Sequence, residues 1–186
     1  VPHITDEIID RINEAGKKDN ADIIIVELGG TAGEYQNALY YEASRILDYI
    51  HDQKVVHVHV SYLPTPPHIG EPKTKPTQLS VRHLNYMGIQ PDFIVARAEQ
   101  PMDERRRERF ALFCHVKHEN VIDSPDVESV YEIPTIFAEQ QFDAKLLREL
   151  NLPEKKLDLK EWESLVEKIK QPKHNNLKIG IIGKYF

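Results

Sequence analysis

Short runs of β-branched and apolar residues recur along this chain, each separated from the next by a longer stretch with helical spacing. Ala21–Val26 (Ala-Asp-Ile-Ile-Ile-Val), Val55–Leu63 and Pro91–Arg97 are the clearest. Runs of this kind read as strands, and the intervening periodicity reads as helices. No hairpin signal joins one run to the next. Strands that alternate with helices in this way build a mostly parallel sheet flanked by helices, an α/β fold.

The pattern predicts a helix over Thr5–Gly16, with Thr5 as its N-cap and Gly16 ending it. Ala21–Val26 should follow as a buried strand, then a helix over Asn37–Asp52 and a strand over Val55–Leu63. A proline-rich loop, Pro64–Pro72, leads into a helix over Thr77–Met87 that Gly88 caps. Pro91–Arg97 is a strand, Asp103–Arg109 a helix, Phe110–Cys114 a fourth strand and Val121–Ile122 a short fifth. Val130–Tyr131 adds one more extended piece. Leu157–Ile169, which holds Trp162, reads as an amphipathic helix, Gln171–Asn176 as a polar linker, and Leu177–Ile182 as a new strand.

Composition narrows the function. With 186 residues, 40% of them hydrophobic, the chain can bury one substantial core. A formal net charge of -6 argues against a general nucleic-acid binder but allows a local cationic pocket. The single cysteine excludes an internal disulfide and fits a reducing compartment such as the cytoplasm. No apolar run approaches the ~18 residues that would suggest a membrane span, and no signal peptide is visible. The chain starts at Val1-Pro2-His3 and stops just after the apolar Ile179–Gly183, so a fragment of a longer protein is expected.

Lys73-Thr74-Lys75-Pro76-Thr77-Gln78 is the strongest functional candidate. Pro76 biases Lys75 towards an extended conformation, in which Lys73 and Lys75 would point to one side with Thr77 and Gln78 beside them. Such an element suits a nucleoside triphosphate; a solvated basic loop is the alternative. Glu27 closes an apolar strand before Leu28-Gly29-Gly30-Thr31-Ala32-Gly33. Ligands of α/β sheets gather at the carboxyl ends of strands, and an acid there can hold Mg²⁺ while glycines let backbone amides approach phosphate. An ordinary solvated glutamate on a glycine turn reads equally well. His57 and His59 share a strand face and read as structural or solvated; His3, at an expected strand end, is the one catalytic candidate in the chain. Cys114, set among apolar residues, reads as a small hydrophobe. Arg109 ends a charged run and is expected to enter a strand and be held firmly. No G-x-x-x-x-G-K-[ST] loop occurs in the chain.

Several stretches together resemble the CTP synthase family, specifically its N-terminal synthetase domain. They are Pro2-His3-Ile4-Thr5, Val26–Thr31, Lys73–Gln78, Gly88-Ile89-Gln90-Pro91-Asp92, Ala111–Cys114 and Gly183-Lys184-Tyr185. The resemblance implies a fold like that of P-loop NTPases of the dethiobiotin synthetase kind. It implies an ATP-dependent ligase that phosphorylates O4 of UTP, displaces the phosphate with ammonia derived from glutamine, and works as a homotetramer able to form filaments. Mg²⁺ as cofactor, GTP as allosteric activator and CTP as product inhibitor follow from it. So do the site residues. Glu27 matches the metal-binding glutamate. Lys73, Thr74, Lys75, Pro76, Thr77 and Gln78 match the UTP/CTP element, with Arg109 where the family commonly has lysine. Pro125, Asp126 and Val127 match a segment touching ATP, and Phe113 lies near the pyrimidine pocket.

One stretch departs from the family pattern. Glu34-Tyr35-Gln36, in the region implied to bind inhibitory CTP, stands where Asp-Ile-Glu is typical, so an amide replaces a carboxylate at Gln36. The resemblance divides the chain into a synthetase domain over 1–152, a helix and linker over 153–176, and the first strand of a glutamine amidotransferase domain over 177–186. The P-loop is expected before Val1 and the glutaminase triad after Phe186, so the 186 residues alone are expected to be inactive. A non-catalytic nucleotide-binding relative, with a regulatory or filament-forming role, is the second reading.

Overall fold

The computed structural model describes residues 2–50, 53–68, 70–171 and 178–184. A parallel sheet of β1 (Val58–Tyr62), β2 (Phe93–Ala98) and β3 (Val121–Pro125), in that order, forms its centre. The register sets Val58 beside Phe93, Tyr62 beside Arg97, Ile94 beside Val121 and Ala98 beside Pro125. α3 (Lys75–Tyr86) connects β1 to β2 and α4 (Glu104–Cys114) connects β2 to β3. The expected parallel α/β arrangement is therefore present.

β2 is apolar on both faces, and both are covered. On one side Ile94, Ala96 and Ala98 pack with Leu63, Val81, Phe110, Ala111 and Cys114. On the other, Phe93 and Val95 pack with Ile122 and with Phe137 and Phe142 of α5 (Ile133–Glu139) and α6 (Phe142–Glu149). Phe142 meets Phe93 and Phe137 edge-to-face, with ring centroids 5.4 and 5.2 Å apart. Away from the sheet, α1 (Pro2–Asp19) and α2 (Ala38–Tyr49) share a smaller core of Ile9, Ala43 and Leu47. α7 (Lys160–Lys170) buries none of its residues.

Several expected boundaries and two expected strands are corrected. α1 begins at Pro2, so Thr5 lies inside it, donating its hydroxyl to the Pro2 carbonyl at 2.7 Å rather than capping. The helix runs past Gly16 and stops before Asn20, whose φ of 48° leaves helical space. Ala21–Val26 forms no ladder among the described residues. Ile24 packs against Gly16 as the chain turns back from α1, and Ile25 is 91% exposed.

Phe110–Cys114 is the last part of α4, not a strand. Phe110, Ala111 and Cys114 occupy one helical face against the sheet while Leu112 and Phe113 face outward. A short apolar run does not by itself reveal its period. Asp103 caps this helix by accepting the Arg106 amide at 2.9 Å, and His115 ends it in left-handed conformation. Val130–Glu132 is a single 3₁₀ turn rather than an extended piece. Of the expected strand Leu177–Ile182, residues 178–182 carry no ladder and Leu177 lies outside the described residues, as does most of the Gln171–Asn176 linker.

Arg107, not Arg109, is the arginine that α4 holds. Its guanidinium pairs with the Asp123 carboxylate and donates to the Val121 carbonyl. Arg107 and Asp123 side chains are only 16% and 11% exposed. Removing one partner of such a pair strands the other charge. Arg107→Ala is expected to cost about 3 kcal/mol in denaturant unfolding, and Arg105→Ala, on the exposed face, no more than about 0.5 kcal/mol. Equal losses would show that the Arg107 pair has no special weight.

Candidate functional site

All three strands point their carboxyl ends to one edge, and the loops leaving that edge carry most of the candidate residues. From β1, the chain passes through Leu63, whose amide donates to the Arg97 carbonyl at 2.7 Å. The loop then returns, with the Lys73 amide donating to the Pro64 carbonyl at 2.9 Å. Arg106 reaches from α4 to Glu71 at 3.1 Å and also to Asp103, which holds this loop beside the start of α4.

The lysine motif is helical where an extended segment was expected. Thr74 has φ −88° and ψ −14°, and α3 starts at Lys75 with Pro76 in its first turn. Proline is tolerated there because its missing N–H would have had no helical partner. The same-side argument for Lys73 and Lys75 therefore does not hold. What anchors the motif is Thr77, fully buried, whose hydroxyl lies 2.7 Å from that of Ser61 on β1. Gln78 donates to the Thr74 hydroxyl at 3.1 Å. Lys73 is half-buried and Lys75 exposed, and neither forms an ion pair among the described residues. Pro125 ends β3, and Asp126, exposed, donates its amide to the Ala98 carbonyl at 2.9 Å; Val127 is half-buried. The lysine motif and Pro125–Val127 thus lie on the same edge.

Other candidates lie elsewhere. Glu27 is exposed and makes no side-chain bond among the described residues. Beyond it, Glu34 accepts the Thr31 amide at 2.9 Å and Asn37 donates to the Gly29 carbonyl at 2.6 Å, closing a compact turn. Gly33 has φ +95°, and a Cβ there would sit 2.6 Å from His83 Nδ1. The turn therefore rests on the last turns of α3, roughly 12 Å along the helix from Lys75. Glu34, Tyr35 and Gln36 are all exposed. Arg109 and Phe113 sit on the outer face of α4, and His3 is exposed in the first turn of α1 rather than at a strand end. Among the described residues, no group of three or more His, Cys, Asp or Glu side chains is placed to hold a metal ion, and no helix is long and apolar enough to cross a membrane.

Sequence reasoning passed over Arg97 and Asp123. Arg97 stands at the carboxyl end of β2 between Tyr62 and Ser124, exposed and without an ion pair among the described residues. A lone cation closing an apolar strand was the available signal. A cavity of about 300 Å³ opens at the opposite, amino edge, lined by Arg45, Asp48, His57 and Asp92 among others, and holds none of the nucleotide-site candidates.

The match to known proteins decides the family. A family model described as CTP synthase N-terminus covers residues 1–152. The CTP synthases of Caldanaerobacter subterraneus subsp. tengcongensis, Carboxydothermus hydrogenoformans and Pyrococcus horikoshii are 44%, 43% and 43% identical over 186 residues. This chain belongs to the CTP synthase family. It is covered completely in these matches but spans only 34%, 35% and 34% of those relatives, about a third of their length.

Within this member of the CTP synthase family, His57, just before β1, and His59, on it, are each held by a serine hydroxyl, which fits the structural side of the sequence reading. Ser44 and His57 Nε2 are 2.7 Å apart, and Ser80 and His59 Nε2 2.9 Å. Burial lowers the pKa of both below 6.5, opposed at His57 by Asp92 and Asp48. Cys114 is fully buried, and burial pushes its thiol up to about 12, so it is no nucleophile. A histidine whose folded pKa is depressed binds its proton first in the unfolded chain, so stability is complete above 6.5 and falls as pH drops below that value. The loss of thermal stability between about pH 7.5 and 5.5 is expected to shrink in His59→Gln. An unchanged loss would remove this account.

Proposed function

We propose that these residues form the nucleotide-holding part of an enzyme that aminates UTP to CTP at the expense of ATP. The reaction runs through UTP phosphorylated at O4, with glutamine-derived ammonia as the nitrogen source, and its turnover belongs to the full-length protein. The reading rests on one observation above the rest: a motif with two lysines is anchored to β1 at the carboxyl edge of a parallel sheet, the edge at which β3 also ends. A helix N-terminus there adds its own positive end to the two ammonium groups, and all three favour a triphosphate.

In this reading Lys73 and Lys75 offset the triphosphate charge of UTP, and Thr74, Pro76, Thr77 and Gln78 shape the same subsite. Arg109 adds a guanidinium that can grip phosphate by two parallel bonds. Pro125, Asp126 and Val127 line the ATP adenine. Glu34, Tyr35, Gln36 and Phe113 take part in binding CTP as product inhibitor. GTP acts as allosteric activator. Residues 1–152 form the synthetase domain, 153–176 the linker, and 177–186 the start of a glutamine amidotransferase domain. The enzyme works as a homotetramer in the cytoplasm. Exposed apolar side chains such as Tyr86 and Leu112, 86% and 72% accessible, are consistent with surfaces that assembly would cover.

Glu27 fits Mg²⁺. The ion commonly takes only one or two protein carboxylates and completes its shell with phosphate oxygens and water, and Glu27 is an exposed carboxylate without a competing partner among the described residues. When bound, Mg²⁺ neutralises charge on the transferring phosphate. The protein's own part is positioning: Thr77 fixed to Ser61 sets the height of the lysines above the sheet, and alignment supplies much of such catalysis.

Two variants of the full-length enzyme test the assignment. Lys75→Ala should raise the apparent KM for UTP about ten-fold or more, the cost of a charge-assisted contact. An unchanged value would move the UTP subsite elsewhere. Gln36→Glu restores the acceptor-only carboxylate and should tighten CTP inhibition by about several-fold; superimposable inhibition curves would end that idea.

A further inference from the structure

α7 is tied near both ends to the turn that follows β3. Trp162 donates its indole N–H to the Tyr131 carbonyl at 2.7 Å, and the two rings tilt against each other with centroids 5.7 Å apart. Lys170, the last residue of the helix, closes an ion pair with Glu132. Tyr131 and Glu132 belong to the same 3₁₀ turn, Val130–Glu132. Glu132 is also half of a capping box: its carboxylate accepts the Ser129 amide at 3.1 Å while the Ser129 hydroxyl accepts from the Glu132 backbone.

Ser129 stands two residues beyond Val127. The Pro125–Val127 stretch is therefore suspended between two anchors. One is the sheet, through the Asp126 amide on the Ala98 carbonyl at 2.9 Å. The other is the Ser129–Glu132 box, which α7 grips through Lys170 and, one residue away, through Trp162. Since α7 has no buried residue, no core packing holds it in place. A tilted aromatic pair, one neutral hydrogen bond and one ion pair whose lysine lies in solvent are each weak, so the helix is a strap that modest forces can seat or lift.

We infer that Trp162 and Lys170 are positioning residues which, by seating α7 on Val130–Glu132, hold Pro125–Ser129 in the shape that binds ATP. This rests on the reading of Pro125–Val127 as the ATP segment. The position of the linker helix and the affinity for ATP are then two ends of one equilibrium, and whatever lifts α7 weakens ATP without touching UTP.

The test uses the full-length protein, wild type, Trp162→Ala and Trp162→Phe, followed by hydrogen exchange over residues 124–132 and by steady-state kinetics. In wild type, ATP should slow exchange in 125–129. Absence of that protection overturns the ATP assignment and, with it, the inference. Given protection, Trp162→Ala should speed exchange across 126–132 and raise the apparent KM for ATP about five-fold, with the KM for UTP unchanged. Trp162→Phe keeps the ring and loses the N–H donor, and should fall between the two. Protection in wild type together with unaltered exchange and KM for ATP in Trp162→Ala overturns the inference and leaves the ATP assignment standing. A parallel rise in both KM values with exchange loosened throughout also overturns it, because that marks a general structural role.

Discussion

Asp123, near the carboxyl end of β3, is the point at which four parts of the molecule meet. Its carboxylate accepts the Met102 amide at 3.2 Å and pairs with Arg107. Its backbone amide donates to Gln140 Oε1 at 2.8 Å and its carbonyl accepts Gln140 Nε2 at 2.9 Å. One residue thus fixes the loop that enters α4, the body of α4, the edge of β3 and the end of α5. Gln140 occupies the outer hydrogen-bonding groups of β3 as a neighbouring strand would, which blunts that edge. A carboxylate on a side chain only 11% exposed is tolerable only because every part of it has a partner.

Burial falls away from that point towards β1. β2 and β3 are buried along almost their whole length, whereas β1 alternates between exposed and half-buried positions. His59 and Ser61 meet α3, while Val58, Val60 and Tyr62 stay open. The glycine turn after Glu27 rests on α3 through Leu28, Ala32 and Gly33, contacts at the margin of a small cluster around Tyr41, Leu84 and Ile89. The candidate residues follow the same gradient. Pro125–Val127 is tied to the firm side and the lysine motif to an intermediate one. Glu27 lies on the side where least apolar surface holds the chain in place.

The residue pattern revealed the parallel sheet, the crossover helices and the histidine roles, because each depends on local periodicity or immediate neighbours. It failed where the outcome depends on a distant partner. Ala21–Val26 has the composition of a buried strand, yet a strand needs a ladder and none reaches it among the described residues. Phe110–Cys114 has the composition of a strand, yet the cap at Asp103 and the left-handed His115 make it helix. Arg109 was favoured over Arg107 because the strand expected there would have held it. In a helix, two positions shift a side chain by more than half a turn, and Arg107 is the one that faces Asp123. The family was legible from motifs, but which candidate groups share an edge was not, since the strand order puts Lys73–Gln78 and Pro125–Val127 at the carboxyl edge while the glycine turn rests at the other end of α3.

The lysine motif shows how a local rule can mislead. Pro76 disfavours helix at the residue before it, yet Lys75 begins α3. The gain is that the first turn of α3 can be pinned: Thr77, two residues into the helix, faces the sheet and meets Ser61, and burial of that hydroxyl pair contributes about 1 kcal/mol. An extended lysine segment would have had two cations on one side and nothing to fix them. The helical form keeps fewer cations in line but ties their backbone to the sheet. Under the proposed UTP role, a fixed origin is worth more than a second aligned charge.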